Sequence, residues 1–369
     1  MLVQRVVVPH SLVESWTVLG DDAWPIEPIE RYLAYLTDIE RSPNTVKAYA
    51  HDLKDWFSFL AARGLDWREV RLEDVGEFVA WLRLPKLART GMIAVLPSGE
   101  HHCSEATVNR KLSAISAFYQ HEARHGVDLG DLLTTWQPAG RRGTAWKPFL
   151  HHVSKSRPEA RRAIRLHAPR KHPRVLAPTE IQTILDACTR LRDRFLFALL
   201  YDTGVRIGEA LGLRHEDLAA AERDLTIRRR INDNGARTKS KISRTVPVSP
   251  ALVRLYADYL HEEVQDLDSD YVFVNLWCEP YGHPLSYQAV YDLVKRLRRS
   301  TGIEFDPHWW RHTTATRWLR DGIPVETVAK LLGHADIATT LDIYGRLTVE
   351  DARKALQAAG WFNNTEVRL

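Results

Sequence analysis

Six polar side chains, Arg206, Lys239, His308, Arg311, His334 and Tyr344, lie in the second half of a 369-residue chain, each inside a distinctive local run. The runs read T-G-V-R-I-G-E-A-L-G-L, R-T-K-S-K-I-S-R-T-V-P-V-S, H-W-W-R-H-T-T-A-T and L-L-G-H-A-D-I-A-T-T-L-D-I-Y-G. Guanidinium groups are planar forks that match the non-bridging oxygens of a phosphodiester, where a pentavalent transition state gathers negative charge. A tyrosine phenol is a nucleophile once ionised, but with a pKa near 10 its ionisation at pH 7 costs roughly 4 kcal/mol. Adjacent guanidinium charge and a proton acceptor offset much of that cost. The residue types therefore suit phosphoryl transfer. Glu209 lies one helical turn after Arg206, a spacing that serves either a structural ion pair or the orientation of a functional arginine.

Other chemistries fit the spacing less well. His308 and His312 are four residues apart on one helix face, as in a zinc site, but no Glu follows His308 as a zinc-protease motif requires. Cys103, Cys188 and Cys278 are odd in number and form no C-x-x-C pair, so neither a disulfide framework nor a zinc ribbon is indicated. A single tyrosine after two threonines is ordinarily a packed surface aromatic; here the arginine and histidine runs around it favour a nucleophile.

Helices and one short sheet must position these groups. In the N-terminal half, Ser42 is placed to cap a helix, Pro43 suits its first turn and Gly64 its end. Val46, Tyr49, Leu53, Trp56, Phe57 and Leu60 recur within it at spacings of three and four. Similar helices are predicted at about 26–40, 73–83 and 104–125, enough for a small bundle, with an aperiodic insert at 84–102. Beyond Pro178, helices are predicted to about 190 and again up to Gly204. Strands joined by an Asn-Gly turn follow around 224–248. Further helices are expected at about 250–265, 286–300, 308–321, 324–332, 336–343 and 348–359. The expected fold is mainly α with a small antiparallel β-sheet in the C-terminal domain. The predicted organisation is an N-terminal extension at 1–25, a helical domain at 26–130, a basic linker at 131–175 and a second domain at 176–369.

Charge is unevenly distributed. Residues 1–136 carry 14 Lys and Arg against 19 Asp and Glu, 139–174 carry 11 against 1, and 175–369 carry 26 against 27. Prolines at 148, 158, 169 and 173 preclude one long helix in the basic segment, which reads as an extended, partly ordered connector suited to phosphate contact. With 44% apolar and 27% charged residues, no apolar run near the roughly 20 residues of a membrane span and no signal-peptide pattern, a cytoplasmic, membrane-free protein is expected.

The four runs together resemble the catalytic half of the tyrosine recombinase (phage integrase) family, closely over 178–350. The bundle is similar, more loosely over 26–130, to that family's core-binding domain. The resemblance does not extend to 1–25, the 84–102 insert or most of the connector. It implies a site-specific recombinase acting in integration, excision or transposition. Such an enzyme cuts and rejoins double-stranded DNA through a 3′-phosphotyrosyl link, with no metal, ATP or other cofactor. In the implied assignment Tyr344 is the nucleophile, His308 the proton acceptor, His334 a hydrogen-bond donor to the phosphate, and Arg206 and Arg311 the clamp. Lys239 would protonate the departing 5′-oxygen; Lys241, two residues on, stays open for that role. The family implies a homodimer on each duplex, a tetramer on synapsis and a possible accessory recombination protein. The C-terminal helix and tail would dock on a neighbour, and the added segments favour a mobile element. Candidate DNA contacts outside the site are Arg41, Lys47, Lys54, Arg110, Lys111, Arg161, Arg162 and Arg165. Two alternatives remain. A type IB topoisomerase would relax supercoils as a monomer without strand exchange, and a non-catalytic DNA-binding or directionality factor would not need the full set of six.

Overall fold

Ser42, Pro43 and Gly64 bracket a helix as their positions predict. In a computed structural model describing residues 1–7, 14–85, 89, 102–137, 159–169, 174–238 and 243–333, the Ser42 hydroxyl accepts from the Thr45 amide at 3.2 Å and Gly64 closes the helix in the left-handed region at φ 66°. This is α2 (Pro43–Arg63). With α1 (Glu27–Asp38), α3 (Leu72–Arg83) and α4 (Glu105–Glu122) it forms the bundle of the first of two compact units, Met1–Arg170. Trp56, Phe59, Phe78, Phe118 and Tyr119 are fully buried at its centre. Their polar atoms are satisfied: Trp56 Nε1 donates to Tyr119 Oη at 3.2 Å, and Tyr119 Oη donates to the Trp67 carbonyl at 2.9 Å.

The sequence places 1–25 outside the bundle; the structure places the described part of it within. Strands β1 (Leu2–Val7) and β2 (Glu14–Leu19) pair antiparallel, Leu2 opposite Leu19 and Val7 opposite Glu14. Strand β2 lies on α1 and α2, with Val18 completely buried and Trp16 beneath the Lys47 ammonium at 4.5 Å. The basic connector is likewise part of this unit over its described residues up to 169. Strand β4 (Glu159–Arg162) pairs antiparallel with β3 (Thr134–Gln137), and Ile164 and Leu166 beyond it pack against the bundle core.

One proposed DNA contact is displaced from that role. Lys111 has a side chain only 7% exposed, and its ammonium lies 2.7 Å from Asp55 Oδ2 and 3.1 Å from Asp52 Oδ1, joining α4 to α2. Burial raises the Asp52 pKa against the opposing pull of Lys111 and Arg110. Lys111 is a structural cation; Arg110, which also pairs with Asp52, has a half-exposed side chain.

The second unit, Lys171–Leu369, is mainly helical in its described residues. Helices α5 (Pro178–Asp186), α6 (Leu191–Thr203) and the short α7 (Ile207–Ala210) precede a sheet ordered β5 (Leu218–Ala219), β6 (Asp224–Ile227), β7 (Arg244–Pro247), antiparallel throughout. Helices α8 (Pro250–Tyr259), α9 (Tyr287–Thr301), α10 (Pro307–Arg320) and α11 (Val325–Leu332) follow. The helices expected at 336–343 and 348–359 lie outside the described residues. Helix α10 packs on α6: Trp310 stacks on Phe197 with centroids 5.3 Å apart, and Thr314 Oγ1 donates to the Tyr201 carbonyl at 2.7 Å. This contact sets the rotation of α10 and hence the directions of His308 and Arg311. Among the described residues no helix is long and apolar enough to cross a membrane.

If the hairpin is part of the core, removing residues 1–19 exposes apolar surface around Val18 and on α2. Thermal and urea unfolding of the truncated chain should show the N-terminal unit less stable by about 3 kcal/mol, from the burial of two or so apolar side chains. An unchanged transition would contradict this.

Candidate active site

Arg206 stands at the N-cap of α7, immediately beyond the turn that ends α6 at Gly204 with φ 62°. Its amide and its Nη1 donate to the two oxygens of Glu209, each at 3.0 Å. Glu209 is fully buried and also accepts from Arg244 on β7, Nη2 to Oε2 at 2.6 Å and Nη1 to Oε1 at 3.2 Å. Burial alone would raise the Glu209 pKa, but hydrogen bonds and charge from Arg244 and Arg206 outweigh it and hold the carboxyl below its ordinary value. Arg244 Nε then donates to the Leu331 carbonyl at 2.7 Å.

Arg311 is 1% exposed and ties two helix ends together, Nη1 donating to the Gly204 carbonyl at 2.8 Å and Nη2 to the Leu332 carbonyl at 2.6 Å. His308, one turn earlier on α10, is exposed, and its ring lies against that of His312 with centroids 4.4 Å apart. Asp306 caps α10 through a long contact of 3.5 Å from the His308 amide. Of the two bulky residues between His308 and Arg311, Trp310 is a core residue, and Trp309 lies beneath the Arg174 guanidinium at 5.2 Å.

Arg206, His308 and Arg311 line one open cleft, together with Ile207, Gly208, Arg237, Tyr287, Tyr291, Asp306 and Pro307. Arg206 from one run and His308 and Arg311 from another thus converge, with Arg237 from a third. The cleft also contains groups not singled out in the sequence: Arg237, which opens the R-T-K-S-K run two residues before Lys239, and Tyr287 and Tyr291 on α9. Gly208 explains how Tyr287 fits, since a Cβ there would lie 2.0 Å from the Tyr287 hydroxyl and 2.9 Å from the Arg237 carbonyl. Burial raises the Tyr287 pKa, against a backbone hydrogen bond at Arg237.

Lys239, Lys241, His334 and Tyr344 lie outside the described residues, as do 348–369. Among the candidate DNA contacts, Arg41, Lys47, Arg110, Arg162 and Arg165 are exposed on the N-terminal unit and Lys54 is half-buried beside Asp55. Arg161 is on β4.

Comparison with known proteins places this geometry in context. Residues 174–351 match the phage integrase family and residues 29–126 the phage integrase N-terminal SAM-like domain. The chain is 37% identical over 355 residues to Transposase A from transposon Tn554 of Staphylococcus aureus, covering 96% of each protein. It is 29% identical to tyrosine recombinase XerA of Thermococcus onnurineus, over 90% of this chain and 95% of the relative. The fold is similar to that of the Tn1549 transposon integrase in complex with a circular intermediate DNA, with TM-score 0.58, 16% identity, and coverage of 90% of this chain and 99% of that one.

Replacing Glu209 with Gln should leave Arg244 buried without its anion, at a cost of about 3 kcal/mol in urea unfolding at pH 7. Because the folded pKa of Glu209 is depressed, its contribution is present above the unfolded value near 4.3 and is lost as pH falls through the lower folded value. Wild-type stability should therefore fall more steeply than that of Glu209→Gln on acidification below about pH 4. Parallel acid profiles would count against the ion pair.

Proposed function

Because the chain belongs to the phage integrase (tyrosine recombinase) family, we propose that Arg206, His308 and Arg311 hold the scissile phosphate of DNA while Tyr344 attacks it. The enzyme is a site-specific DNA recombinase of a mobile genetic element. The observation that carries the residue assignment is the meeting of Arg206 with His308 and Arg311 in one cleft from two separate stretches of sequence. Two guanidiniums there meet the charge that develops on the non-bridging oxygens.

In the proposed cycle the Tyr344 phenol gives its proton to His308 as its oxygen bonds to phosphorus. The bond from phosphorus to the 5′-oxygen breaks, and Lys239, or Lys241 in its place, protonates that oxygen. This leaves a 3′-phosphotyrosyl ester and a free 5′-hydroxyl. The 5′-hydroxyl of a partner strand then attacks the ester and frees Tyr344, with His334 donating a hydrogen bond to the phosphate throughout. The ester conserves the phosphodiester's energy, so the reading needs neither ATP nor a metal. Two protomers on each duplex and four in a synapse follow from the resemblance, with the 348–369 segment reaching a neighbour. An accessory recombination protein and a cytoplasmic setting complete the reading. Outside the cleft, the exposed basic residues of the N-terminal unit and the connector meet the DNA backbone.

Nicked duplexes tiled across the DNA flanking the gene, incubated in EDTA, test the chemistry. Denaturing gels should show a 3′-linked covalent adduct with wild type and none with Tyr344→Phe, which should still bind. An adduct that persists in Tyr344→Phe would overturn the assignment, and one formed only with added metal would overturn the metal-free reading. Deleting 348–369 should abolish tetramer assembly before duplex binding in sedimentation and gel-shift measurements; intact assembly would remove that segment from the interface.

A further inference from the structure

Beyond β4 the connector runs extended, and its side chains alternate in exposure. Arg162, Arg165 and His167 are exposed, whereas Ile164 and Leu166 are half-buried against the bundle. Apolar residues thus face the protein and basic ones face solvent. The strap is held by backbone and side-chain bonds together. The Ala163 amide donates to the Leu133 carbonyl at 2.9 Å, and Asn109 on α4 bonds both polar groups of one connector residue. Asn109 Nδ2 donates to the Leu166 carbonyl at 2.8 Å, and Asn109 Oδ1 accepts from the Leu166 amide at 2.9 Å. The side-chain amide thereby pairs with the connector as a neighbouring strand would. Arg162 Nη1 returns to α4, donating to the Asn109 carbonyl at 3.2 Å.

The residue after Asn109 is Arg110, whose guanidinium is paired on one side with Asp52 yet 51% exposed. The clasp therefore holds the exposed bases of the connector against the helix that also carries Arg110. We propose that Asn109 is a positioning residue that holds the connector so that Arg110, Arg162 and Arg165 form one ridge for DNA backbone phosphates. The inference rests on the reading that the connector touches DNA. A free connector would have to be ordered on binding, and the clasp meets that entropic cost during folding instead. Ordered guanidiniums engage phosphates through charge-assisted bonds without base readout, so the contact is independent of sequence.

A double-mutant cycle on the full chain tests this. Affinity for a fluorescein-labelled duplex of random sequence is measured by anisotropy at fixed salt. The proteins are wild type, Asn109→Ala, the pair Arg162→Gln with Arg165→Gln, and the triple variant. Losing the two Asn109 bonds should weaken binding about tenfold in the wild-type background and by less than about twofold in the Gln background. Equal losses in both backgrounds would show that Asn109 only stabilises the bundle, and no loss in either would leave the connector self-positioned; both overturn the proposal. If the Gln pair binds as tightly as wild type, the reading that the connector touches DNA fails, and this inference with it. Thermal unfolding of each variant confirms that the N-terminal unit remains folded.

Discussion

A carboxylate sealed from water between two guanidiniums organises the second unit. Withdrawing Glu209 from solvent is costly, and geometry has to recover that cost: three short bonds from Arg206 and Arg244 and one from the Arg206 amide occupy both of its oxygens. Arg206 is thereby given one orientation from among its many rotamers. Arg244 extends the network from β7 to the Leu331 carbonyl, and Arg311 joins the neighbouring Leu332 carbonyl to Gly204. Two cations thus satisfy the last carbonyls of α11, where unpaired acceptors and the negative end of the helix dipole favour positive charge.

The glycines of the T-G-V-R-I-G run serve this arrangement in different ways. Gly204 takes a left-handed conformation that turns the chain from α6 into Arg206 and offers its carbonyl to Arg311. Gly208 leaves room for the Tyr287 hydroxyl, which lies between the start of α7 and the backbone of Arg237. Since a Cβ at Gly208 would meet backbone as well as a flexible ring, repacking of a side chain alone would not accommodate it. The clasp of Tyr287 is thus built into the same short run as the first arginine.

What the sequence discloses depends on how far apart partners lie along the chain. The caps of α2 and the helical periods are local and were readable, and Arg206, His308 and Arg311 were marked by their own runs. Lys111 was misread as a surface base because its partners, Asp52 and Asp55, are 59 and 56 residues away. The hairpin at 2–19 was passed over because short strands with a polar β2 face give a weak period-two signal, and its hydrophobic partner is a helix. Arg237 opens a distinctive run without being singled out in it, and Tyr287 lies in none; folding brings both to the cleft. The two ends of the connector segment, β3 and β4, are separated by more than twenty residues, and no local pattern announces their pairing.

Where the exposed bases lie bears on an apparent conflict in charge. Residues 1–136 carry a net negative charge, which argues poorly for contact with a polyanion. Two of the acidic residues, however, are drawn inward together with the bases that pair with them, so they add no exposed negative charge. Asp52 is paired with Lys111 and Arg110, and Glu122, fully buried, is paired with Arg31 beside His121. Their fields are neutralised at short range and contribute little beyond a Debye length. Arg162 and Arg165 instead point outward from a strap whose apolar side is buried. For association with a phosphate backbone the relevant quantity is the local surface charge, and in this unit that charge is set by which residues the fold has already neutralised.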